Sequence, residues 1–422
     1  MKKLRIVVTI AVTALSLLAL SAPQAEAKRH PSTPQDSVPF TLNASVLDSG
    51  QQVVSLTLDT GRLPVRASSL SKGTFSVHAK GTNPLPGAEP VYGTFDADRT
   101  VTGVHLDRRG RIVIELEHGY NVAGASTFAW GTGMDAMGRN VMLDLTYTVT
   151  QNQPIQLRNG ASVTFSSFTQ GHVVDPEVDA FGYGSAAGLN YRLYTPHGWG
   201  KRPLIVWLHG GGEGGWAQAQ DNDLPLIANR GALGFATPKA QSIFGGAYVL
   251  APQATDYWLN DPAMGYSAKL KTLIDAVVKK HHIDTSRIYV VGASNGGYMT
   301  PRLVVDNPGF FAAEVPICPV VTFGGATMLT DAELASVKTP TWVVQAKSDD
   351  TVPFLANGQH IADTVPGALL SAYDDVTWAG VTYPTHWSWI YVARNAPTTD
   401  KGQHIWQWMA KQSLKHGHHN HS

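Results

Sequence analysis

Residues Ile288 to Gly297 read Ile-Tyr-Val-Val-Gly-Ala-Ser-Asn-Gly-Gly, an apolar run that enters Gly-x-Ser-x-Gly without a break. Few patterns narrow the choice of fold so far. Arg287 to Val291 is short and β-branched, as a buried strand is, and Asn295 to Asp306 reads as a helix stopped by Asn307-Pro308-Gly309. A serine at the sharp turn between such a strand and helix projects its hydroxyl from the sheet edge. Gly292 and Gly296 remove side chains that would clash there. Ser294 is therefore the candidate nucleophile. The same five-residue pattern also occurs in inert buried turns, so its meaning depends on what the rest of the chain supplies.

The surroundings are those of a parallel sheet. Leu189 to Tyr194, Leu204 to Leu208, Tyr248 to Ala251, Val315 to Pro319 and Thr341 to Gln345 read as strands. Between them, Ser267 to His281 places Leu270, Leu273, Ile274, Val277 and Val278 on one helical face. Strands alternating with helices predict an α/β layer with helices on both faces of a mostly parallel sheet. The earlier part of the chain differs. From Val38 to about Val149, runs such as Ile112, Ile114, Leu116 and Val141, Leu143, Leu145, Tyr147 alternate with polar neighbours and are punctuated by Asp59-Thr60-Gly61, Asn83-Pro84 and Asp107-Arg108-Arg109-Gly110. That pattern predicts an all-β immunoglobulin-like sandwich over 38–150 without catalytic residues of its own. Gln151-Asn152-Gln153-Pro154 reads as the linker to a catalytic domain over 155–412.

The Gly-rich segment His209 to Gly215 lacks the Lys-Ser or Lys-Thr pair of a phosphate loop. Directly after the strand Leu204 to Leu208, it suits a loop that aims a backbone N–H at a developing oxyanion. Gly211 is favoured as that donor over Gly212, with the N–H of Asn295 as its partner and His209 in a structural role. A serine hydroxyl needs a histidine to accept its proton and a carboxylate to orient that histidine. Downstream, in the order Ser, Asp, His, stand Asp349, with Asp350 as rival, and His386 in Tyr383-Pro384-Thr385-His386-Trp387-Ser388-Trp389. A C-terminal helix is expected from about Gly402 to Gln412. His360 and His404 are weaker candidates because they fall within helices. Trp258 and Trp387 are candidate substrate-binding residues, with Trp216 and Trp389 nearby in loops.

Composition removes some alternatives. Lys plus Arg and Asp plus Glu number 32 each, so no net field favours nucleic acid or an anionic membrane. The single cysteine, Cys318, cannot form an internal disulfide and reads as core. Lys2, Lys3 and Arg5 before the apolar run Ile6 to Leu20, then Ala25-Glu26-Ala27, predict a signal peptide over 1–27 rather than a membrane anchor, hence export. The tail 413–422, with His416, His418, His419 and His421, is expected to be a disordered terminus.

On these residues the chain resembles secreted bacterial α/β-hydrolase esterases with an N-terminal immunoglobulin-like domain. It is also similar to polyhydroxybutyrate-depolymerase-type, feruloyl-esterase-type and prolyl-oligopeptidase-like hydrolases. The matching stretches are Leu208 to Gly214, Asp284 to Tyr289 leading to Gly292 to Gly297, Asp349-Asp350-Thr351-Val352-Pro353, and His386 to Trp389. Such families place the acid three residues before the Val-Pro pair, which implies Asp349. Gln345-Ala346 departs from the His-Gly often found in these enzymes. The resemblance implies hydrolysis of a small-molecule or polymeric ester without metal or cofactor. Two other readings stand beside it: a serine peptidase with the same triad, and a non-catalytic binding protein working through its sandwich.

Overall fold

A computed structural model describes residues 37–85, 91–131, 138–215 and 222–414. The expected signal peptide, Trp216 and tail residues 415–422 lie outside the described residues.

The N-terminal part is all β. Ser37–Leu47 pairs antiparallel with Gly50–Leu58, which continues through Ile112–Leu116 to Val101–Leu106. A second sheet holds Asp144–Gln151, Phe75–Thr82 and Phe95–Arg99. Inward-facing Phe40, Leu42, Leu56, Val77, Ile114 and Tyr147 share one core, which is what period-2 alternation on facing sheets dictates. A third sheet, Val91–Tyr92, Phe128–Gly131 and Arg139–Met142, carries Trp130 and Asn140.

The expected linker at Gln151 to Pro154 proves to be a turn inside this domain. After the small hairpin Ile155–Gln156 with Ser162–Val163, the strand Ser167–Val174 lies parallel to Ser37–Leu47 in the first sheet. Polar turn residues mark where a strand stops; they do not say which sheet the next strand joins.

The second part is built on an eight-stranded sheet. Its strands are β1 (Phe181–Ala186), β2 (Leu189–Tyr194), β3 (Arg202–Leu208), β4 (Tyr248–Gln253), β5 (Ile283–Ala293), β6 (Ala313–Ile317), β7 (Trp342–Ala346) and β8 (Leu369–Tyr373). The spatial order is β1-β2-β4-β3-β5-β6-β7-β8. β1, β2 and β4 are joined antiparallel, and every later pairing is parallel. Along β3, Val206 and Leu208 belong to one core, and Ile205 and Trp207 belong to the other. Tyr266–Lys280 and Asn295–Asp306 cover the first face through Leu270, Leu273, Met299 and Leu303. Gly231–Ala236 and Ile405–Lys411 cover the second through Leu233, Phe235, Ile405 and Trp406. The last helix starts after His404 rather than at Gly402, and a short helix, Trp389–Ala393, follows the His386 loop. Among the described residues, no helix is long and apolar enough to cross a membrane.

Strand order reverses at β3 and β5, so loops leaving their carboxyl ends diverge and open a crevice. Ligands of open α/β sheets bind at such points.

Candidate active site

Ser294 closes β5 at φ 56° and ψ −110°, a left-handed conformation that a side chain adopts at a cost of roughly 1–3 kcal/mol. The surroundings enforce it. Its N–H donates to Ile317 O at 2.9 Å, and the helix Asn295–Asp306 starts immediately. A Cβ on Gly292 would lie 2.3 Å from Gly296 O, and one on Gly296 would lie 2.1 Å from Leu208 O. Strand, helix and Gly-rich loop thus close up only with glycine at these two positions, which leaves Ser294 presented at the crevice. Asn295 is buried, and its side-chain oxygen accepts the Leu259 N–H at 2.9 Å. Its own N–H belongs to the first helical turn, where no intrahelical acceptor exists.

Gly211 and Gly212 begin a single 3-10 turn, Gly211–Glu213, after β3. His209 stays behind it. Its Nδ1–H donates to Gly210 O at 2.6 Å while Nε2 accepts the Ala254 N–H at 3.0 Å, so the ring is neutral and ties two loops together. Burial drives its pKa down to about 4.

Asp349 follows β7, and its side chain is fully shielded. Oδ1 accepts the N–H groups of Thr351 and Val352 at 3.0 and 2.9 Å, and Oδ2 accepts Gln345 Nε2 at 3.0 Å. His386 Nδ1 lies 3.0 and 2.9 Å from the two oxygens. Asp350, the rival, is exposed; Thr351 Oγ1 donates to its carboxylate, and its own N–H donates to Thr385 Oγ1. The unusual Gln345 has a specific position: besides Asp349 it donates to Val352 O at 2.7 Å, and its Oε1 accepts the Gly358 N–H at 3.0 Å. Ser388 Oγ accepts the Ala346 N–H at 2.9 Å and pins the histidine loop to the acid strand.

One partner was invisible in the sequence. Cys318, buried at the end of β6 with φ 34°, brings its sulfur within 4.8 Å of ligating atoms of both Asp349 and His386. A sulfur, a carboxylate and an imidazole at that spread are a donor set a metal could use, although Asp349 and His386 are already bonded to each other. Burial works to lower the His386 pKa, while the Cys318 sulfur and the Asp349 carboxylate raise it, and the net direction is upward.

Ser294 and His386 line one cavity of about 410 Å³ together with Gly210 to Glu213, Asn229, Thr351, Trp387 and Trp389. Its opposite wall comes from the β-domain: Asp48, Ser49, Phe128, Trp130 and Asn140. A Cβ on Gly212 would meet the Trp130 ring at 2.7 Å and the Asn140 amide nitrogen at 3.0 Å. The wall is tied down by Arg394, which donates to both Asp48 oxygens at 2.9 and 3.0 Å, and by Arg230, which donates to Glu177 and to Val46 O. Tyr120 adds rings against Tyr383 and Trp387 at 5.0 and 6.0 Å. Alternation within the N-terminal strands gave no sign of this role.

Trp387 lies at the cavity, as expected, but Trp258 does not. It is fully buried against His209 and Tyr266, with ring centroids 4.9 and 5.2 Å away, so its work is packing. From its short 3-10 turn the indole joins the core that Tyr266 and Met299 share.

Residues 189–339 match the family described as esterase PHB depolymerase, and residues 40–164 match the esterase Ig-like N-terminal domain. The chain joins an esterase Ig-like domain to an esterase PHB depolymerase domain. The crystal structure of a thermostable esterase superposes with a TM-score of 0.70 at 25% identity, covering 89% of this chain and 99% of that one. Feruloyl esterase B of Neurospora crassa is 31% identical over 153 residues, which is 33% of this chain and 49% of the relative. Acylamino-acid-releasing enzyme 1 of Oryza sativa is 33% identical over 139 residues, 30% of this chain and 16% of the relative. This chain therefore spans less than half the length of these two curated relatives. The esterase domain's fold, a mostly parallel sheet behind an immunoglobulin-like sandwich, is the one expected.

Proposed function

We propose that this chain is an exported serine hydrolase that cleaves carboxylic esters through an acyl-enzyme. Ser294 attacks the ester carbonyl, His386 takes its proton, and Asp349 holds the imidazole in the tautomer whose Nε2 can accept it. The oxyanion rests on the N–H groups of Gly211 and Asn295, one such donor being worth about 3 kcal/mol in the transition state. His386 then returns the proton to the departing alcohol, and water, activated by the same histidine, releases the acid and restores Ser294.

The observation that carries this reading is the Asp349–His386 pair, closed at 2.9 Å on the wall of the cavity that Ser294 lines. An apolar rim of Phe128, Trp130, Trp387 and Trp389 supports an ester with an apolar acyl or aryl part, and Trp387 is the substrate contact expected from the sequence. The relationship to an acylamino-acid-releasing enzyme keeps a peptidase activity as the second reading. Export rests on the basic start, apolar run and Ala25-Glu26-Ala27 of the sequence.

The test is covalent labelling by a fluorophosphonate together with turnover of p-nitrophenyl acetate, p-nitrophenyl octanoate, methyl ferulate and an acylamino-acid anilide. Wild type should label and hydrolyse the esters, and Ser294→Ala should do neither, with activity down by at least about 10³-fold. Anilide turnover exceeding that of every ester would replace the esterase reading with the peptidase one. An unlabelled wild type would leave a binding protein.

A further inference from the structure

The reaction above leaves unused a buried carboxyl that lines the same cavity. Glu213, 7% exposed, ends the turn Gly211–Glu213. Its Oε1 accepts Asn229 Nδ2 at 3.2 Å, and the backbone N–H groups of Gly210 and of Glu213 itself act on the carboxyl to hold its pKa down. Asn229 is itself fixed, because its Oδ1 accepts the Gly231 N–H at 2.8 Å at the start of a helix. From the other side, Glu213 O accepts Gln253 Nε2 at 3.0 Å at the end of β4. A Cβ on Gly210 would lie 3.1 Å from Glu213 Oε2 and 3.9 Å from the Ser294 Cβ. Carboxyl, Gly-rich loop and nucleophile turn therefore touch in sequence.

Burying a carboxyl where a leucine of similar volume would fit costs free energy unless its lone pairs are used. Here one oxygen is held by Asn229 and the other lies against Gly210, in the loop that must be aimed at the substrate. We propose that Glu213 is a positioning residue that fixes the Gly210–Gly212 loop over Ser294, so that its free N–H meets the oxyanion without reorganisation. This rests on the ester-hydrolase reading. A preorganised donor acts where charge develops, so disturbing it lowers kcat and leaves KM nearly unchanged.

Glu213 also gives the loop a titration of its own. Burial raises its pKa to about 7 against the hydrogen bonds and the pull of His386. The other titratable or charged groups around it are Asp48 across the cavity, His209 at the end of β3, Arg139 on the neighbouring strand and Asp256 paired with Arg139. As pH rises through 7 the carboxylate gains its full set of acceptors and the loop is held most firmly. Glutamine keeps one acceptor oxygen and the shape but cannot titrate.

The experiment compares wild type, Glu213→Gln and Glu213→Leu on p-nitrophenyl acetate across pH 5.5–9, with fluorophosphonate labelling rates alongside. Expected is a fall in kcat of about 10²-fold or more for Glu213→Leu with KM within a few-fold, a size typical of a lost oxyanion donor. Glu213→Gln should restore kcat to within about tenfold at pH 6 and lack one ionisation that wild type shows near neutrality. A Glu213→Gln profile that superimposes on wild type overturns the proposal, even if Glu213→Leu does not fold. So does a Glu213→Leu loss confined to KM. Failure of wild type to label would instead overturn the reading on which it rests.

Discussion

Glu314 lies on β6 away from the cavity, fully buried, and its titration yields a stability test whose sign does not depend on the exact pKa. Its Oε1 and Thr341 Oγ1 are 2.8 Å apart, and Thr341 Oγ1 lies 2.9 Å from Thr339 O. One hydroxyl proton cannot serve both contacts. If Glu314 carries the acid proton, the carboxyl donates to Thr341 Oγ1 and the hydroxyl donates to Thr339 O, so each contact has its own hydrogen. Burial raises the Glu314 pKa from 4.5 to about 8, and a bond from the Thr341 hydroxyl to the ionised carboxylate, which pulls the other way, does not offset it. The sign follows from linkage. Between about pH 4.5 and 8 the folded chain holds a proton that the unfolded chain has released, so this residue's contribution to stability falls as pH rises, by about 1.4 kcal/mol per pH unit. Glu314→Gln keeps a donor for Thr341 Oγ1 and removes the titration. From pH 5.5 to 7.5 the variant should therefore gain on wild type by roughly 2.5 kcal/mol, slightly less than two pH units at one full proton because Glu314 begins to ionise near pH 7.5. Glu213 titrates in the same direction but is present in both proteins and cancels. Guanidinium unfolding followed by tryptophan fluorescence at several pH values measures the difference. Parallel stability curves for the two proteins would refute the reasoning, whatever their offset.

Four further outcomes are expected. Asp349→Asn should lower kcat by about 10⁴-fold, whereas Asp350→Asn should leave it within a few-fold, as steady-state kinetics on p-nitrophenyl acetate will read directly. Activity should fall as pH drops and His386 gains a proton; because Cys318 and Asp349 both raise its pKa, Cys318→Ala should shift the acid limb of kcat/KM to lower pH. Trp258→Ala should cost about 3–5 kcal/mol in a denaturation midpoint series, while Trp387→Ala should alter kcat/KM among acyl chain lengths and leave the midpoint nearly unchanged. Trp130→Ala, on the β-domain, should change ester preference as Trp387→Ala does, measured across acetate, octanoate and ferulate esters; identical preference would restrict the β-domain to support.

Local chemistry made the catalytic half legible. An apolar run broken by Gly-x-Ser-x-Gly has few ways to satisfy its backbone, and the turn at Ser294 and the helix Asn295–Asp306 follow from it, although the strand begins at Ile283, four residues before the run read from Arg287. The same holds for Asp349: the N–H groups of Thr351 and Val352 converge on its Oδ1, a tight loop that the Asp-Asp-Thr-Val-Pro run builds locally. Where sequence reading went astray, the deciding contact lay far along the chain. Trp258 and Trp387 are both indoles in loops near the site, and only the packing of His209 and Tyr266 sends one inward. Ser167–Val174 follows the small hairpin after the Gln151–Pro154 turn, and its pairing with Ser37–Leu47 says which sheet it completes.

The β-domain's share of the cavity is the clearest such case. Phe128, Trp130 and Asn140 lie on two short strands whose alternation is satisfied by solvent as readily as by a partner. Trp130 is 40% exposed even with the cavity formed, so burial pattern alone marks it as surface. What turns it into a wall is the fit against Gly212, where any side chain would collide with the indole. On the proposed reading Gly212 meets two demands at once, close approach of the substrate on one side and close approach of the neighbouring domain on the other. The second demand fixes how the two domains must seat, and the buried Arg139 linked to Asp256 and Gly215 O holds them there at the edge of the same loop. Substrate preference and domain docking are consequently a single packing problem, and variants of the β-domain that leave Ser294, Asp349 and His386 untouched should still register in which ester is cleaved.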